Sequence, residues 1–331
     1  MRPVLLVDRA VADGSAHALP LAWLEGFDLR VYTPRELAAV APDPAVQAIL
    51  LRSVSRLTAG DLQNFRNLQG VATLSSGTDH IDVAALERTG VALHTGHGGN
   101  AVAVTDWVEW ALSRSGRPLA GLRVAVVGVG AVGSLVVQRL QQRGALPLPC
   151  DPPRAEREPG FVSRDLDALL QDSVDAVTLH VPLVREGRHA TTNLLDAQRL
   201  GRLPAATVLN AARGDVLDAH KAAELRRNGG LRWLAIDTFP SEPRVAGEVV
   251  AACDLATPHI AGHSVQGKRD VALRAVTGLC RQFGLAPPVV AADPPGPAEW
   301  LPLDQVSAAL RADPSAFEPL RHGHRRNQTV A

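Results

Sequence analysis

The stretch RVAVVGVGAVGSLVVQRLQQR (Arg123–Arg143) decides how this chain is read. RVAVV has the β-branched, apolar character of a buried strand, and VGSLVVQRLQQR has helical periodicity. Between them Gly128, Gly130 and Gly133 form G-x-G-x-x-G in a strand–turn–helix context, the setting in which this motif cradles a dinucleotide. The first glycine permits the tight turn, the second lets backbone approach a pyrophosphate, and the third lets helix and strand pack closely. Ala131 and Val132 complete the phosphate-binding turn at the helix N-terminus, where N–H groups and the helix dipole favour an anion.

Working outward, short β-rich runs alternate with amphipathic stretches along most of the chain. Strands are predicted at Val4–Val7, Leu29–Tyr32, Val46–Leu51, Val71–Leu74 and Val91–Leu93, then at Arg123–Val127, Leu146–Pro149, Ala176–His180, Thr207–Asn210 and Trp233–Ile236. Helices are predicted at Thr58–Arg66, Val83–Thr89, Val132–Arg143 and Ala219–Asn228. This alternation implies an α/β protein with two doubly wound parallel-sheet domains. The glycine-rich HTGHGGNA marks a break near residues 96–100. A helix over Ala101–Ser115 and another over Val265–Phe283 would cross between domains. The expected division is 1–97 plus 264–284, 98–263 as the dinucleotide domain, and a tail over 285–331. That tail is Pro-rich (APPVVAADPPGPAEW), then weakly helical, then basic (RHGHRRNQ), and reads as an arm or linker.

Composition excludes other classes. The 331 residues carry 34 Lys+Arg against 34 Asp+Glu, for a formal net charge of +0, so nothing points to nucleic acid or an anionic membrane surface. Cys150, Cys253 and Cys280 are too scattered for a disulfide framework or a thiolate zinc site. No metal is expected, because His259 and His263 lack a third ligand. MRPVLLVDRA does not read as a signal peptide, and no run spans a bilayer. The expectation is a cytoplasmic protein.

The next strand end supplies a carboxylate. Asp151 in CDPPRAE stands where an acidic residue accepts hydrogen bonds from ribose hydroxyls, which favours NAD and repels a 2′-phosphate. Arg154 follows and is read as softening that discrimination against NADP. Val181 and Asp237 end later strands and would face the ribose and nicotinamide.

Three further strand ends carry chemistry. Arg213 in NAARGDVLD suits a carboxylate, since its planar fork pairs bidentately and never loses charge. His259 in TPHIAGHS suits proton transfer at neutral pH. Glu242 in IDTFPSEP would hold the imidazole and stabilise its charged form. Together they suit moving a hydride to or from a 2-hydroxy acid.

With these residues assembled, the chain resembles the D-isomer-specific 2-hydroxyacid dehydrogenases over roughly residues 3–284. The segments LLRSVSRLTAGDL, SSGTDHIDVAAL, GGNAVAV, CDPPRAE, NAARGDVLD and TPHIAGHSVQGK carry the likeness, and point to a branch acting on a phosphorylated acid. The resemblance implies a flavodoxin-like substrate domain and a Rossmann NAD-binding domain. It implies Arg213, Glu242 and His259 as the catalytic set, and Asp151, Val181, Asp237 and Gly262 as cofactor contacts. It implies Ser53 and Ser75 near substrate, and Gly77 is expected beside them; on chemical grounds Arg52 and Lys268 would supply charge to a phosphate. His263 stands where relatives often carry Tyr. The tail is shorter than the family's dimerisation domain, and a homodimer through the helix Ala101–Ser115 is expected. A dehydrogenase for another small acid, or a non-catalytic NAD-sensing protein, remains a competing reading.

Overall fold

A computed structural model describes residues 1–13, 19–33, 37, 39–172, 174–203, 205–289 and 303–324. Most of the Pro-rich stretch and the basic end of the tail lie outside the described residues. The chain forms two compact units, one of residues 1–100 and 264–296, the other of 101–263 and 297–331.

In the first unit, β1 (Val4–Asp8), β2 (Asp28–Tyr32), β3 (Val46–Leu51), β4 (Gly70–Thr73) and β5 (Ala92–Thr95) form a parallel sheet ordered β2-β1-β3-β4-β5. That is the flavodoxin-like order. Strand geometry sends successive side chains to opposite faces. Ala48 and Leu50 therefore enter one core with Ala275, Val276 and Leu279 of the helix Val265–Gln282. Ile49 and Leu51 enter the other with Val71 and Leu86. The predicted helix at Thr58–Arg66 is instead a single 3-10 turn, Asp61–Asn64. The Asp61 carboxylate accepts from Thr58 N and Thr58 Oγ1, both at 2.7 Å, and this local capping competes with helix propagation.

In the second unit, β6 (Arg123–Val127), β7 (Leu146–Cys150), β8 (Ala176–Leu179), β9 (Thr207–Asn210), β10 (Trp233–Ile236) and β11 (Leu255–Ala256) form a parallel sheet ordered β11-β10-β9-β8-β6-β7. Among the described residues, sequence patterning missed only the two-residue β11. Strand β6 lies between β7 and β8, so the order reverses at its carboxyl end, the position where open parallel sheets bind ligands. Val124 and Val126 face one core, Ala125 and Val127 the other.

The helix Ala101–Arg114 packs against Ala131–Gln142 within this second unit. Asp106, fully buried, accepts from Arg139 Nη1 at 2.6 Å, and Glu109 accepts from the same nitrogen at 3.1 Å. Removing one partner strands a buried charge, which costs about 3–5 kcal/mol. Arg139→Met is therefore expected to lower unfolding free energy by about that amount in a urea titration, and replacing Asp106 by Leu in the same chain to recover much of it. A loss below about 1 kcal/mol would show the pair to be solvent-screened.

The tail differs from the arm its composition suggests. Helices Leu303–Ala312 and Phe317–Gly323 belong to the second unit. Leu303, Leu310 and Phe317 are buried, and the Ser307 hydroxyl accepts from Ala256 N at 2.9 Å. Residues 303, 307 and 310 recur at helical spacing, a short signal that the proline-rich flank obscures. Among the described residues, no helix is long and apolar enough to cross a membrane.

Candidate active site

The dinucleotide turn is built by exclusion of side chains. Gly128 has φ +86°, and a Cβ there would lie 2.7 Å from the His180 carbonyl carbon. Gly133 lies so close beneath the turn that a Cβ would meet Gly128 O at 1.9 Å. A Cβ on Gly130 would meet nothing within 4 Å. Gly130 also caps the helix Ala131–Gln142 without a side-chain hydrogen bond, which leaves the first N–H groups for a ligand. Val181 packs its methyl beside Gly128. His180 is neutral, because burial pushes its imidazole down to about 3.

Asp151 caps the short helix Pro152–Arg157. Its Oδ1 accepts from Arg154 N at 2.9 Å and its Oδ2 from Val129 N at 2.8 Å. A carboxylate has about four acceptor sites, so Asp151 keeps capacity for ribose hydroxyls while bound to the turn. The residues present therefore fit a dinucleotide. Arg154 does not play the part expected from its position. Its Nη1 donates to Val129 O at 2.7 Å and Ser134 Oγ at 2.9 Å, and its Nε and Nη2 to Glu158 at 2.7 and 3.0 Å. It braces the turn rather than standing ready for a phosphate.

The candidate catalytic side chains Arg213, Glu242 and His259 follow the carboxyl ends of β9, β10 and β11. His259 Nδ1 lies 2.7 Å from Glu242 Oε2. Because a carboxylate only accepts, Nδ1 carries the proton and Nε2 is the basic nitrogen of the neutral ring. Glu242 Oε1 accepts from Phe239 N at 2.7 Å, which fixes the carboxylate as well. Arg213 opens a 3-10 turn, Gly214–Val216. A Cβ on Gly214 would stand 2.1 Å from the Phe239 carbonyl carbon, so the glycine lets the Arg213 loop close on the Glu242 turn. Asn210 stitches the same two loops, donating to Arg213 O at 3.0 Å and Thr238 O at 3.4 Å. The Phe239 ring meets Phe317 of the tail edge-on, with centroids 6.4 Å apart.

Through its carboxylate, Asp237 organises the loop that carries His259. It is 1% exposed. Its carboxylate accepts from Thr257 Oγ1 at 2.6 Å, Ile260 N at 2.8 Å and Ala261 N at 3.0 Å. His259 N donates to its backbone carbonyl at 2.8 Å. These bonds hold His259 at φ +55°, a left-handed backbone that non-glycine residues reach only when their surroundings impose it. Trp107 Nε1 extends the network to Thr257 Oγ1 at 3.0 Å. Burial raises the Asp237 carboxyl above the usual carboxylate range. Gly262 and His263 follow this loop, with His263 N bonded to Ile260 O at 2.8 Å.

In the first unit, Arg52 is committed to buried Asp8, its Nε at 2.8 Å and Nη2 at 3.2 Å. Ser53 is exposed in the turn beyond it. The Ser75 hydroxyl donates to Gly77 O at 2.6 Å and meets Thr73 Oγ1 at 2.9 Å, with His80 Nε2 3.0 Å further along. Lys268 sits in the first turn of the helix Val265–Gln282.

Residues 91–261 match the family model for the D-isomer specific 2-hydroxyacid dehydrogenase NAD binding domain. The chain is 41% identical over 243 residues to an erythronate-4-phosphate dehydrogenase of Chromohalobacter salexigens, covering 72% of this chain and 63% of that protein. It is 37% identical over 273 residues to the Azotobacter vinelandii protein of that name, covering 81% and 70%. This chain belongs to the D-isomer-specific 2-hydroxyacid dehydrogenase family. A family fold is also seen in the crystal structure of an NADPH-dependent glyoxylate/hydroxypyruvate reductase from Sinorhizobium meliloti in complex with citrate. That chain is 21% identical, with a TM-score of 0.71 and coverage of 87% of this chain and 98% of that one. The aligned part spans about two thirds of the length of the curated relatives.

Asn210, Thr257 and Trp107 also support the site, and sequence patterning gives them no role. Asn210 sat inside the quoted NAARGDVLD. Nothing local marks Thr257 or Trp107, since Thr257 bonds Asp237 and Trp107 bonds Thr257, and both pairs are distant in sequence.

Proposed function

We propose that this chain oxidises 4-phospho-D-erythronate to 2-oxo-3-hydroxy-4-phosphobutanoate with NAD, in the cytoplasm, as a step of pyridoxal 5′-phosphate formation. The observation that carries the reading is the 2.7 Å His259–Glu242 pair, held beside the Arg213 loop. The identity to the two erythronate-4-phosphate dehydrogenases supports the choice of substrate. NAD, when bound along Gly128–Gly133 and Asp151, supplies the hydride acceptor. Arg213 pairs with the substrate carboxylate and orients C2. His259 Nε2 takes the proton of the C2 hydroxyl as the C2 hydride departs, and Glu242 stabilises the imidazolium so formed. In the reverse direction the same imidazolium returns the proton.

Ser53, Ser75, Gly77 and Lys268, with Arg52 paired to Asp8, are the proposed contacts of the phosphate end, and His263 stands in the place of the family's Tyr. For that reason the deciding assay follows NADH formation with 4-phospho-D-erythronate beside D-glycerate and 3-phosphoglycerate. Selective turnover of the phosphoerythronate is expected. Selective turnover of D-glycerate would keep the chemistry and discard the phosphate. NAD binding without turnover of any acid would remove the enzymatic reading.

Arg213→Lys tests the carboxylate anchor. The charge remains but the bidentate fork is lost, so kcat/KM is expected to fall by about 10²-fold, the size of effect a misplaced substrate produces. Steady-state kinetics within threefold of wild type would dismiss Arg213 as the anchor.

A further inference from the structure

Beside the dinucleotide turn lies a groove of about 360 Å³, lined by Val129, Gly130, Ser134, Arg154, Arg157 and Glu158 among others. In folds of this kind the carboxylate at the second strand end bonds the adenosine ribose hydroxyls, and a nearby arginine receives a 2′-phosphate where one is present. Asp151 and Arg154 occupy those two positions here. The guanidinium has five N–H groups. Nη1 is spent on Val129 O and Ser134 Oγ, while Nε and Nη2 form a two-point pair with Glu158. Its face rests on Phe161, with the guanidinium carbon 4.3 Å from the ring centroid. Arg154 is thus both neutralised and pinned. A 2′-phosphate approaching this corner would meet two carboxylates, Asp151 and Glu158, and an arginine whose paired edge is already filled.

We propose that Glu158 sets the preference for NAD over NADP by sequestering the outer edge of Arg154. This rests on the dinucleotide reading of the Gly128–Gly133 turn. The lock sits on the short helix Pro152–Arg157 and the residue that ends it, at i,i+4 spacing. The Glu158 side chain is 53% exposed, so solvent reaches the pair and releasing it costs the fold little. Once released, the Nε–Nη2 edge can form charge-assisted bonds to a phosphate, the geometry at which arginine excels. Arg157 makes no ion pair among the described residues, lines the same groove and adds to the attraction.

The test is calorimetric titration of the full chain with NAD and with NADP, for wild type, Glu158→Gln and Glu158→Gln/Arg154→Met. In the single variant the ratio of NADP to NAD dissociation constants is expected to fall at least tenfold. Adding Arg154→Met is expected to return the ratio toward its wild-type value. An unmoved ratio in Glu158→Gln would overturn the proposal. So would a ratio that stays low without Arg154, because the gain would then come from removing negative charge alone. Loss of NAD binding in Glu158→Gln would also overturn it, by making Glu158 a brace of the site. Wild-type protein that binds neither dinucleotide would instead refute the cofactor reading on which the proposal stands.

Discussion

Replacing His259 by Ala is expected to lower kcat by about 10²–10⁴-fold, the contribution of a positioned general base. The structure gives the residue a complete setting. Nδ1 is held by Glu242 at 2.7 Å, Glu242 is held by Phe239 N at 2.7 Å, and the backbone is held at φ +55° by Asp237. The loss should lie in kcat more than KM, because proton transfer is needed only as the C2–H bond breaks. Glu242→Gln is expected to fall between wild type and His259→Ala, since an amide can still touch Nδ1 but cannot stabilise the imidazolium as a carboxylate does. Calorimetric NAD binding on the same preparations separates a lost proton acceptor from a lost fold. A kcat within threefold of wild type for His259→Ala would end the assignment.

The second large effect concerns the glycine turn, where two substitutions by alanine should fail for different reasons. At Gly133 the added methyl would sit 1.9 Å from Gly128 O, so strand and helix must separate. Overpacking of this kind costs about 1–3 kcal/mol. If the displaced turn passes that cost to binding, NAD affinity falls by roughly ten- to a hundredfold. Gly133→Ala should lower both thermal stability and NAD affinity. At Gly130 the methyl meets open space in the protein and interferes only with a ligand approaching the helix N-terminus. Gly130→Ala should keep the melting temperature of wild type within about 2 °C, a shift below 1 kcal/mol for a unit of this size, while losing NAD affinity. Equal losses of stability in both variants would mean that the turn is merely structural.

These expectations draw on different levels of information. The fingerprint was legible because its physics is local. A strand, three glycines at fixed offsets and a helix start lie within a few turns of chain, and each glycine has a steric reason that sequence spacing already encodes. Both parallel sheets were likewise legible, because β3 and β6 read as near-continuous apolar runs, the mark of strands buried on two faces. The Thr58–Arg66 segment failed for a local reason that patterning does not weigh, namely a carboxylate closing its own turn. The tail failed because Ser307 and Phe317 find their partners on β11 and at Phe239, far away in sequence.

The sequence by itself determined the parts: a dinucleotide turn, the carboxylate Asp151, and Arg213, Glu242 and His259 each at the end of a strand. Strand ends are read from periodicity, and parallel order then places those ends at one edge of the sheet. Only the tertiary structure decided what each charged group is paired with. Arg52 is claimed by Asp8, Arg154 by Glu158 and the glycine turn, and Asp237 by the loop that carries His259. The physical reason is that periodicity reports which face of an element is buried. The partner of a charge depends on distances between loops that the chain brings together only on folding.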